Sequence, residues 1–475
     1  MNKLKVLFAA SEAFPFAKSG GLGDVIGSLP KAFPKDKADV RVIVPKYECI
    51  PDKYTKDFKL LDIFYVKIGH NDQYVGIQKY EYDGITYYFL DNEYYFKRPS
   101  LYGYYDDAER FIYFCRAVLE AIPYIGFYPD ILHCHDWQTA LIPFLLKEQY
   151  QWHYQNTRTV FTIHNMKFQG LYGFDDLKDI LNLDYFPAPL EFYHKINLMK
   201  GALYTADLVT TVSPSYAEEL KDPYYGENLD GVVRDIAWKE VGILNGIDDV
   251  SYNPKTDEAL FVNYFDDYDK KLQNKTALQD YLGLPVDKHI PMISMITRLT
   301  EQKGLDLVSA VIGDILQMEV QLVVLGTGDA QYENMLRGTA YNYPHKMAAV
   351  IDFNENLSRK IYAGSDMFLM PSRFEPCGLS QMIAMRYGTL PIVRETGGLR
   401  DTVQYYNAET NEGNGFSFAT YNAHDMLFTI QRAVGMYYDA FDKWKQASHN
   451  ASTSNFDWSV SAQTYLDHYY RVAGQ

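Results

Sequence analysis

Short apolar runs along the chain alternate with longer segments of helical period, and most of the runs end at glycine, proline or polar residues. This alternation is typical of parallel α/β sheets, whose strands are buried on both faces. Strands are predicted in the first half at residues 5–10, 39–44, 131–134, 159–163 and 208–212, and in the second half at 291–296, 320–325, 348–351, 367–370 and 390–393. Each set is large enough for a doubly wound sheet of its own.

Three further signals subdivide the chain. A Tyr- and Val-rich stretch over residues 73–90, broken by Asp83-Gly84, predicts a β-hairpin. Turn chemistry over residues 241–248 lies between the two sets of strands and indicates the interdomain connection. We therefore expect one domain over residues 1–240, a second over 241–455, and a C-terminal helix within 456–475 that packs back on the first domain.

Composition and charge exclude several classes of protein. The 475 residues include 45 Lys and Arg against 61 Asp and Glu, a formal charge of −16, which disfavours nucleic acid and anionic membrane as partners. The four scattered cysteines contain no CxxC pair, which favours a cytoplasmic protein over a disulfide framework. The apolar run at residues 6–10 is too short for a signal peptide, and no run of about 18 apolar residues predicts a transmembrane helix.

Two glycine-rich segments resemble each other, Lys18-Ser19-Gly20-Gly21 near the start and Thr396-Gly397-Gly398 near the end. Each follows a predicted strand and precedes a predicted helix. Paired glycines let backbone N–H groups approach a phosphate or sugar closely, and the helix N-terminus adds partial positive charge. For either segment alone a tight βα turn without a ligand is the alternative, and the presence of both favours ligand binding.

Two cations follow the first predicted strand of the second half. Arg298 and Lys303 lie at its carboxyl end, ahead of an apolar helix. A fixed guanidinium and an ammonium there can hold a diphosphate and offset the charge that it gains as a leaving group. Solvated cations in an ordinary strand-to-helix loop are the alternative interpretation.

Glu375 lies in the most informative segment, residues 371–379, directly after a buried strand and just before Gly378, where a helix is predicted to begin. A carboxylate at this place can contact a neutral polyol while backbone amides of the helix start bind an oxyanion. The alternative is an acid that only complements the helix dipole.

Histidines follow two strands of the first half. His133 and His135 share one face of a predicted strand, and His164 with Asn165 follows the next strand. Because no third ligand has metal-site spacing, we interpret His133 and His135 as polar groups that line a cleft at a strand end. For His164 a core histidine is the alternative, and its position at the carboxyl end of the strand favours ligand contact. The only Asp-x-Asp string, at residues 267–269, lies in an acidic surface helix, so the sequence predicts no metal.

Together these segments closely resemble the bacterial glycogen synthases and plant starch synthases, the ADP-glucose-dependent enzymes of glycosyltransferase family 5. The resemblance spans nearly the whole chain, and Lys18-Ser19-Gly20-Gly21-Leu22 combined with SRFEPCGL at residues 372–379 is highly specific. It implies the GT-B fold, with two Rossmann-like doubly wound domains facing across a deep cleft. It also implies retaining transfer of glucose from ADP-glucose to the non-reducing 4-OH of an α-1,4-glucan such as glycogen, without cofactor.

The resemblance assigns roles to individual residues. Arg298 and Lys303 match a diphosphate clamp, Phe353 a ring that stacks on adenine, and Tyr102 and Asp136 positions near the acceptor. Groups around the donor are Lys18, Gly20, Gly21, His164, Asn165, Asn245, Glu375, Cys377, Gly378, Leu379, Thr396, Gly397 and Gly398. The residues expected to take part in catalysis are Glu375, Lys303, Arg298, His164 and Asp136. The first domain is then the acceptor side and the second the nucleotide-sugar side.

Ile383 stands where many retaining GT-B enzymes carry a second glutamate, eight residues after Glu375. The family 5 pattern shares this departure, so we interpret Glu375 as a donor-orienting residue rather than an established nucleophile. The alternatives are a sucrose- or trehalose-type synthase, a UDP-glucose-specific transferase, and a catalytically silent glucan- or nucleotide-binding protein. A dehydrogenase is disfavoured because residues 325–329 lack a complete GxGxxG.

Overall fold

The computed structural model describes residues 3–183 and 185–474. The chain forms two compact units. Unit 1 comprises Met1–Gly246 with Trp458–Gln475, and unit 2 comprises Ile247–Asp457. The divisions assigned from the sequence lie at 240–241 and 455–456. The first residues of the segment 241–248 belong to an edge strand of unit 1, Glu240–Gly242, so only the later part of that segment connects the units.

Unit 1 contains a nine-stranded sheet and a small three-stranded one. Its strands are β1 (Leu4–Ala9), β2 (Ala38–Pro45), β3 (Lys59–Ile68), β4 (Asn71–Tyr82), β5 (Ile85–Asp91), β6 (Ile131–His135), β7 (Arg158–Ile163), β8 (Leu171–Gly173), β9 (Glu191–Phe192), β10 (Lys195–Asn197), β11 (Leu208–Thr211) and β12 (Glu240–Gly242). The order across the large sheet is β12-β11-β7-β6-β1-β2-β5-β4-β3, and the small sheet has the order β8-β10-β9. Strands β12 to β5 run parallel, whereas β4 and β3 add antiparallel pairs.

The predicted strands of unit 1 form because helices cover both faces of the parallel sheet. Val6, Phe8 and Ala9 in β1 are completely buried, which explains the unbroken apolar run. The predicted hairpin is also present: Asp83 and Gly84 both have positive φ, at +50° and +76°, as a type I′ turn requires. Nine helices lie in residues 3–183 and 185–246: α1 (Gly21–Ala32), α2 (Asp52–Thr55), α3 (Glu93–Phe96), α4 (Asp107–Ile125), α5 (Leu141–Glu148), α6 (Phe174–Leu181), α7 (Leu198–Thr205), α8 (Pro214–Glu219) and α9 (Asp230–Asp235).

Unit 2 is built on a six-stranded parallel sheet. Its strands are β13 (Met292–Ile296), β14 (Gln321–Leu325), β15 (Met347–Val350), β16 (Met367–Met370), β17 (Leu390–Arg394) and β18 (Phe416–Phe418), in the order β15-β14-β13-β16-β17-β18. Counted from its own first strand this is the 3-2-1-4-5-6 order of a doubly wound dinucleotide-type sheet. The helices are α10 (Tyr268–Tyr281), α11 (Leu305–Gln317), α12 (Ala330–Asn342), α13 (Glu355–Gly364), α14 (Ser380–Arg386), α15 (Gly397–Thr402), α16 (Ala423–Asp439) and α17 (Phe441–Thr453).

The last helix, α18 (Trp458–Ala473), packs on unit 1. The ring of Tyr469 stacks on Phe33 with centroids 5.7 Å apart, and its hydroxyl lies 2.6 Å from Nδ1 of His133. The hydroxyl of Tyr470 donates to the carbonyl of Lys37 at 3.3 Å. These contacts tie the chain end to the end of α1, to β6 and to the turn before β2.

In the parallel part of each large sheet the strand order reverses at one place, between β1 and β6 in unit 1 and between β13 and β16 in unit 2. The loops that follow two such strands diverge to opposite sides, which leaves a crevice at their carboxyl ends where ligands of α/β sheets bind. Most of the candidate residues lie in the loops that follow these four strands.

Candidate functional site

The loop after β1 is organised by Glu12, a residue that the sequence analysis did not single out. Its Oε2 accepts hydrogen bonds from the backbone N–H groups of Ser19 at 2.6 Å and Gly20 at 3.2 Å. Its Oε1 accepts from the Ser19 hydroxyl at 2.6 Å and from the Tyr102 hydroxyl at 2.7 Å. The carboxylate thus joins the start of the glycine-rich segment to a tyrosine from a distant loop.

Lys18 lies in the same loop and is partly exposed. Its ammonium pairs with Asp24 at 2.6 Å. Gly20 and Gly21 follow it, and a Cβ added at either would meet no other atom within 4 Å. The backbone beside these glycines is therefore open to a ligand, and the phosphate or sugar contact there stays a prediction.

Tyr102 lies next to this loop. Its hydroxyl contacts both Glu12 and the Ser11 hydroxyl, each at 2.7 Å. Burial and the negative charge of Glu12 raise the pKa of the Tyr102 phenol well above its usual value, so the ring remains a neutral hydrogen-bonding group. The predicted acceptor role of Tyr102 is compatible with this placement, and its contact with Glu12 is new.

Asp136 follows β6 in a strained conformation, with φ of +58° and ψ of −179°. This region of backbone space is almost restricted to glycine, so surrounding contacts must hold the residue there. One carboxylate oxygen accepts from the backbone N–H groups of His164 at 2.7 Å and Asn165 at 3.4 Å. Burial raises the pKa of Asp136 to about 7, the two backbone bonds oppose that shift, and the charge of Glu12 adds to it.

Three imidazoles, those of His133, His135 and His164, lie next to one another close to Asp136. Nδ1 of His135 lies 3.0 Å from Nε2 of His164, and the rings of His133 and His135 are 4.1 Å apart. Burial lowers the pKa of His164 to about 3, so its ring is neutral at physiological pH. The expectation that His133 and His135 would line a cleft is wrong, because both residues are completely buried, and His133 lies between the hydroxyls of Tyr469 and Thr162.

Two asparagines complete the candidate residues of unit 1. Asn165 accepts the Lys167 N–H on its own side-chain oxygen, which stabilises the turn after β7. Asn245 is 5% exposed, and among the described residues nothing donates a hydrogen bond to its side-chain oxygen. A buried carbonyl without a donor is costly, so Asn245 is suited to receive a hydroxyl of a ligand.

In unit 2 the loops after β13 and β16 meet through an ion pair. The Lys303 ammonium lies 2.5 Å from Oε2 of Glu375, and the Ser372 hydroxyl donates to the same oxygen at 3.1 Å. The two charged side chains are 15% and 9% exposed, so solvent screens the pair weakly. Lys303 and Glu375 are therefore neighbours, although the sequence assigned them to separate parts of a ligand.

Arg298 and Phe353 are presented differently from this pair. Arg298 is exposed, and within residues 3–183 and 185–474 no carboxylate lies at ion-pairing distance from it. Phe353 is 85% exposed and stands directly before helix α13. An unpaired guanidinium and an uncovered ring are both available to a ligand, which fits the predicted phosphate and adenine contacts.

The second glycine-rich segment packs against the Glu375 loop. The N–H of Gly398 donates to the Glu375 carbonyl at 3.1 Å, and a Cβ on Gly397 would overlap that same carbonyl oxygen. Gly397 and Gly378 have φ of +44° and +74°. The remaining candidates of this region are Thr396, which precedes α15, and Cys377 and Leu379, which flank Gly378 before α14. These glycines bring two loops into contact, a structural role that the sequence did not distinguish from ligand binding.

Among the described residues, no group of three or more His, Cys, Asp or Glu side chains is placed to hold a metal ion. The same part of the chain includes no helix long and apolar enough to span a membrane. The absence of a metal requirement stays a prediction. Residues 267–269 lie where they were expected, with Asp267 capping the N-terminus of α10 through the Lys270 N–H.

Comparison with known proteins gives a consistent result over the whole chain. Residues 5–235 match the family described as the starch synthase catalytic domain, and residues 283–450 match glycosyl transferases group 1. The chain is 54% identical over 472 residues to a glycogen synthase of Geobacillus thermodenitrificans (98% of this chain, 97% of the relative). It is 53% identical to a glycogen synthase of Clostridium acetobutylicum, covering 99% of this chain and 100% of the relative.

Solved structures show the same similarity. The catalytic domain of starch synthase IV from Arabidopsis thaliana, bound to ADP and acarbose, superimposes with a TM-score of 0.92 at 35% identity and covers 100% of both chains. A sucrose-phosphate synthase from Thermosynechococcus elongatus gives a TM-score of 0.63 at 16% identity, covering 99% of this chain and 100% of the other. The second likeness concerns the fold alone.

Proposed function

This chain belongs to the glycogen synthase and starch synthase family of glycosyltransferases, and from that premise we propose that it transfers glucose from ADP-glucose to an α-1,4-glucan. Its two Rossmann-like units are those of the GT-B fold. In this proposal the sugar is added to the non-reducing 4-OH with retention of configuration, and the product is a lengthened glycogen chain. A cytoplasmic location and independence from metal ions are parts of the same proposal.

The observation that carries the proposal is the Lys303–Glu375 pair at the switch point of a dinucleotide-type sheet. An ammonium has three N–H donors, so Lys303 can keep its bond to Glu375 and still donate to a phosphate oxygen. The second carboxylate oxygen of Glu375 can accept a hydrogen bond from a sugar hydroxyl. One pair can thereby place the sugar and the diphosphate of a nucleotide sugar relative to each other.

The difficult step is cleavage of the bond between the anomeric carbon and the phosphate oxygen. Positive charge develops on the sugar and negative charge on the departing ADP. Lys18, Arg298 and Lys303 are assigned to the ADP, because cations placed where charge develops lower the barrier most. The neutral His164 and the carboxylate of Asp136 are assigned to the sugar and to the incoming hydroxyl.

Retention is proposed to arise from attack on the face that ADP leaves. The acceptor 4-OH forms the new bond to the anomeric carbon while its proton passes to the departing phosphate oxygen. The broken bond leaves ADP with that proton, so no protein base is required. Arg298 and Lys303 offset the charge of the diphosphate in this proposal, so no divalent ion is required. A glucosyl adduct trapped on Glu375 or Asp136 would contradict this version of the mechanism.

The activity is tested by measuring ADP release from ADP-glucose with and without glycogen. We expect release that depends on glycogen and that persists after EDTA treatment. A rate restored only by manganese would overturn metal independence. If the protein released UDP from UDP-glucose and no ADP from ADP-glucose, the donor would be UDP-glucose. If neither donor released its nucleotide, the chain would be a glucan-binding protein without catalytic activity.

Donor choice is tested at the exposed ring of Phe353. Base stacking on an aromatic side chain contributes about 1–3 kcal/mol, so Phe353→Ala should raise the KM for ADP-glucose about tenfold. The KM for glycogen should change less than about twofold. Tyr341→Ala removes an equally exposed ring from the same unit, 85% exposed in each case, and serves as the control. An unchanged KM for ADP-glucose would remove Phe353 from the donor site.

A further inference from the structure

Glu12 is a buried acid to which the proposed mechanism gives no role. Its side chain is 3% exposed, and in the part of the chain that the structure describes no cation forms an ion pair with it. A buried carboxylate is costly unless hydrogen bonds compensate for the lost water. Four donors compensate here, and they come from two separate loops.

Each oxygen of Glu12 serves a different partner. Oε2 holds two consecutive backbone N–H groups, those of Ser19 and Gly20, which fixes the backbone directly after Lys18. Oε1 takes the hydroxyl of Tyr102, whose orientation is then determined by Glu12 and Ser11 together. One carboxylate therefore orients a candidate donor residue and a candidate acceptor residue.

The stem of Lys18 is held by the same arrangement. A Cβ added to Gly23 would lie 2.9 Å from Cγ of Lys18 and 3.3 Å from Oε2 of Glu12. The first two side-chain carbons of Lys18 therefore run closely over Gly23 in helix α1. The direction of the ammonium depends on this contact as well as on its pair with Asp24.

We propose that Glu12 is a positioning residue that couples Lys18 on the donor side to Tyr102 on the acceptor side. The inference rests on the proposed function, because it uses the donor role of Lys18 and the acceptor role of Tyr102. Glu12 itself contacts no substrate in this account. It acts by holding two substrate-binding groups in one relative geometry.

Glutamine at this position separates geometry from charge. Its carbonyl oxygen can replace Oε2 and keep both backbone bonds. Its amide nitrogen would then replace Oε1 and face two hydroxyls, those of Ser19 and Tyr102, which can rotate to accept. Alanine removes all four bonds. Positioning therefore predicts that Glu12→Gln is mild and Glu12→Ala is severe.

The first experiment compares these two variants in the ADP-release assay with ADP-glucose and glycogen. We expect Glu12→Ala to raise the KM for ADP-glucose about tenfold and to lower kcat about tenfold, whereas Glu12→Gln stays within about threefold of the parent chain. Equal losses in both variants, or a lower melting temperature with unchanged kcat and KM per folded molecule, would overturn the positioning role.

The coupling itself is tested by a double-mutant cycle with Tyr102→Phe. If Glu12 orients Tyr102, removal of the Tyr102 hydroxyl should raise the KM for glycogen in the parent chain and add less than about twofold in the Glu12→Ala background. Effects that multiply independently would show that the two residues are not coupled, and the proposal would fail.

Gly23→Ala provides a route that leaves Glu12 intact, should Glu12→Ala not fold. The added methyl displaces Lys18, while alanine favours helix α1 more than glycine does. We expect a KM for ADP-glucose raised about tenfold with no loss of thermal stability. Gly313→Ala lies in helix α11 with open space around the new methyl and is the matched control. It should leave kcat and the KM for ADP-glucose unchanged. An unchanged donor KM in Gly23→Ala would count against the proposal.

Two failures remain distinguishable. If the unmodified chain releases no ADP from ADP-glucose, the proposed function fails before any variant is compared. If the unmodified chain is active and the variants do not behave as described, only the role of Glu12 is wrong.

Discussion

The two switch points share a topology and differ in their chemistry. In unit 2 the crevice contains the exposed Arg298 and the ion pair of Lys303 with Glu375. In unit 1, besides the Lys18–Asp24 pair, it contains the carboxylates Glu12 and Asp136, which are held by backbone N–H and hydroxyl groups instead of by cations. The same sheet arrangement thus supports charge neutralisation in one unit and desolvated hydrogen bonding in the other. A diphosphate needs the first kind of site, and sugar hydroxyls need the second.

The two glycine-rich segments make the same contrast on a smaller scale. Gly20 and Gly21 leave open space where side chains would be, whereas Gly397 and Gly398 lie against the Glu375–Cys377 backbone, with no room for a Cβ. The first pair leaves room for a ligand, and the second lets two protein loops approach each other. Similar sequence in two strand-to-helix turns, one after the first strand of unit 1 and one after the fifth strand of unit 2, therefore does not mean the same role.

Among the substitutions that test this contrast, Glu375→Gln is expected to have the largest effect on turnover. The amide can still contact Lys303 and Ser372, so the protein should fold, but the negative charge that orients Lys303 is lost. We expect kcat to fall about 10³-fold, measured as ADP release. Glu319→Gln changes an ion pair whose glutamate is 72% exposed and should have no effect on turnover. A fully active Glu375→Gln variant would exclude charge at this position from the mechanism.

Lys303→Ala is expected to have the next largest effect. The ammonium is assigned to charge that develops during bond breaking, so kcat should fall about 10²-fold while the KM for glycogen changes less than about threefold. Lys346→Ala, which removes the partly exposed lysine paired with Glu319, is the matched control. Equal losses in kcat and in glycogen affinity would mean that Lys303 acts in binding rather than in leaving-group departure.

The comparison also shows what a sequence can predict. Strands such as β1 and β13 were predicted because burial on both faces gives a nearly continuous apolar run. The strand β3 was not predicted, because it exposes Leu60, Ile63 and Tyr65 at the edge of the sheet and lacks that signal. The three-residue strands β12 and β18 exist only through pairing with a neighbour, which no local pattern encodes.

The candidate site was predictable to the level of loops. Arg298, Lys303 and Glu375 were placed correctly at strand ends, because parallel strands end at one edge of a sheet. The pairing of Lys303 with Glu375 was not predicted. The loops after β13 and β16 are adjacent because these two strands are neighbours in the sheet, and the sequence pattern does not give the strand order. Glu12 was missed for a related reason. Its four hydrogen-bond donors come from Ser19, Gly20 and Tyr102, which are close to it only in the folded chain.

Asp136 tests the unit 1 side of the contrast through pH. Its pKa of about 7 lies above the usual 3.8, so the carboxylate needed for the reaction is lost as pH falls through 7. We expect kcat/KM for ADP-glucose to fall about tenfold per pH unit below 7. His164, with a pKa of about 3, stays neutral in this range and adds no second proton. A rate independent of pH between 5 and 7 would contradict this assignment.

The same shift has a consequence for stability with a defined sign. Because the folded state favours protonated Asp136, the residue lowers stability as pH rises from about 3.8 to about 7, and the penalty is constant above that. Asp136→Asn removes the penalty. The melting temperature of the variant relative to the parent chain should therefore be higher at pH 8 than at pH 5, although the variant has lost its activity.

Tyr469→Phe is expected to have the smallest effect and tests whether the buried His133 belongs to the core or to the site. The substitution removes the bond between the Tyr469 hydroxyl and Nδ1 of His133 and leaves a buried nitrogen without a partner. The unfolding free energy should fall by about 1–3 kcal/mol, because the lost bond is fully enclosed. Tyr470→Phe, whose bond to Lys37 is partly exposed, should cost less than about 0.5 kcal/mol and is the control. Turnover should stay within about twofold in both variants, since hydrogen bonding of His164 to His135 does not depend on Tyr469. If kcat of Tyr469→Phe instead fell about tenfold in a folded protein, the orientation of His164 would depend on Tyr469 in helix α18 through His133 and His135. His133 would then belong to the functional site and not to the core.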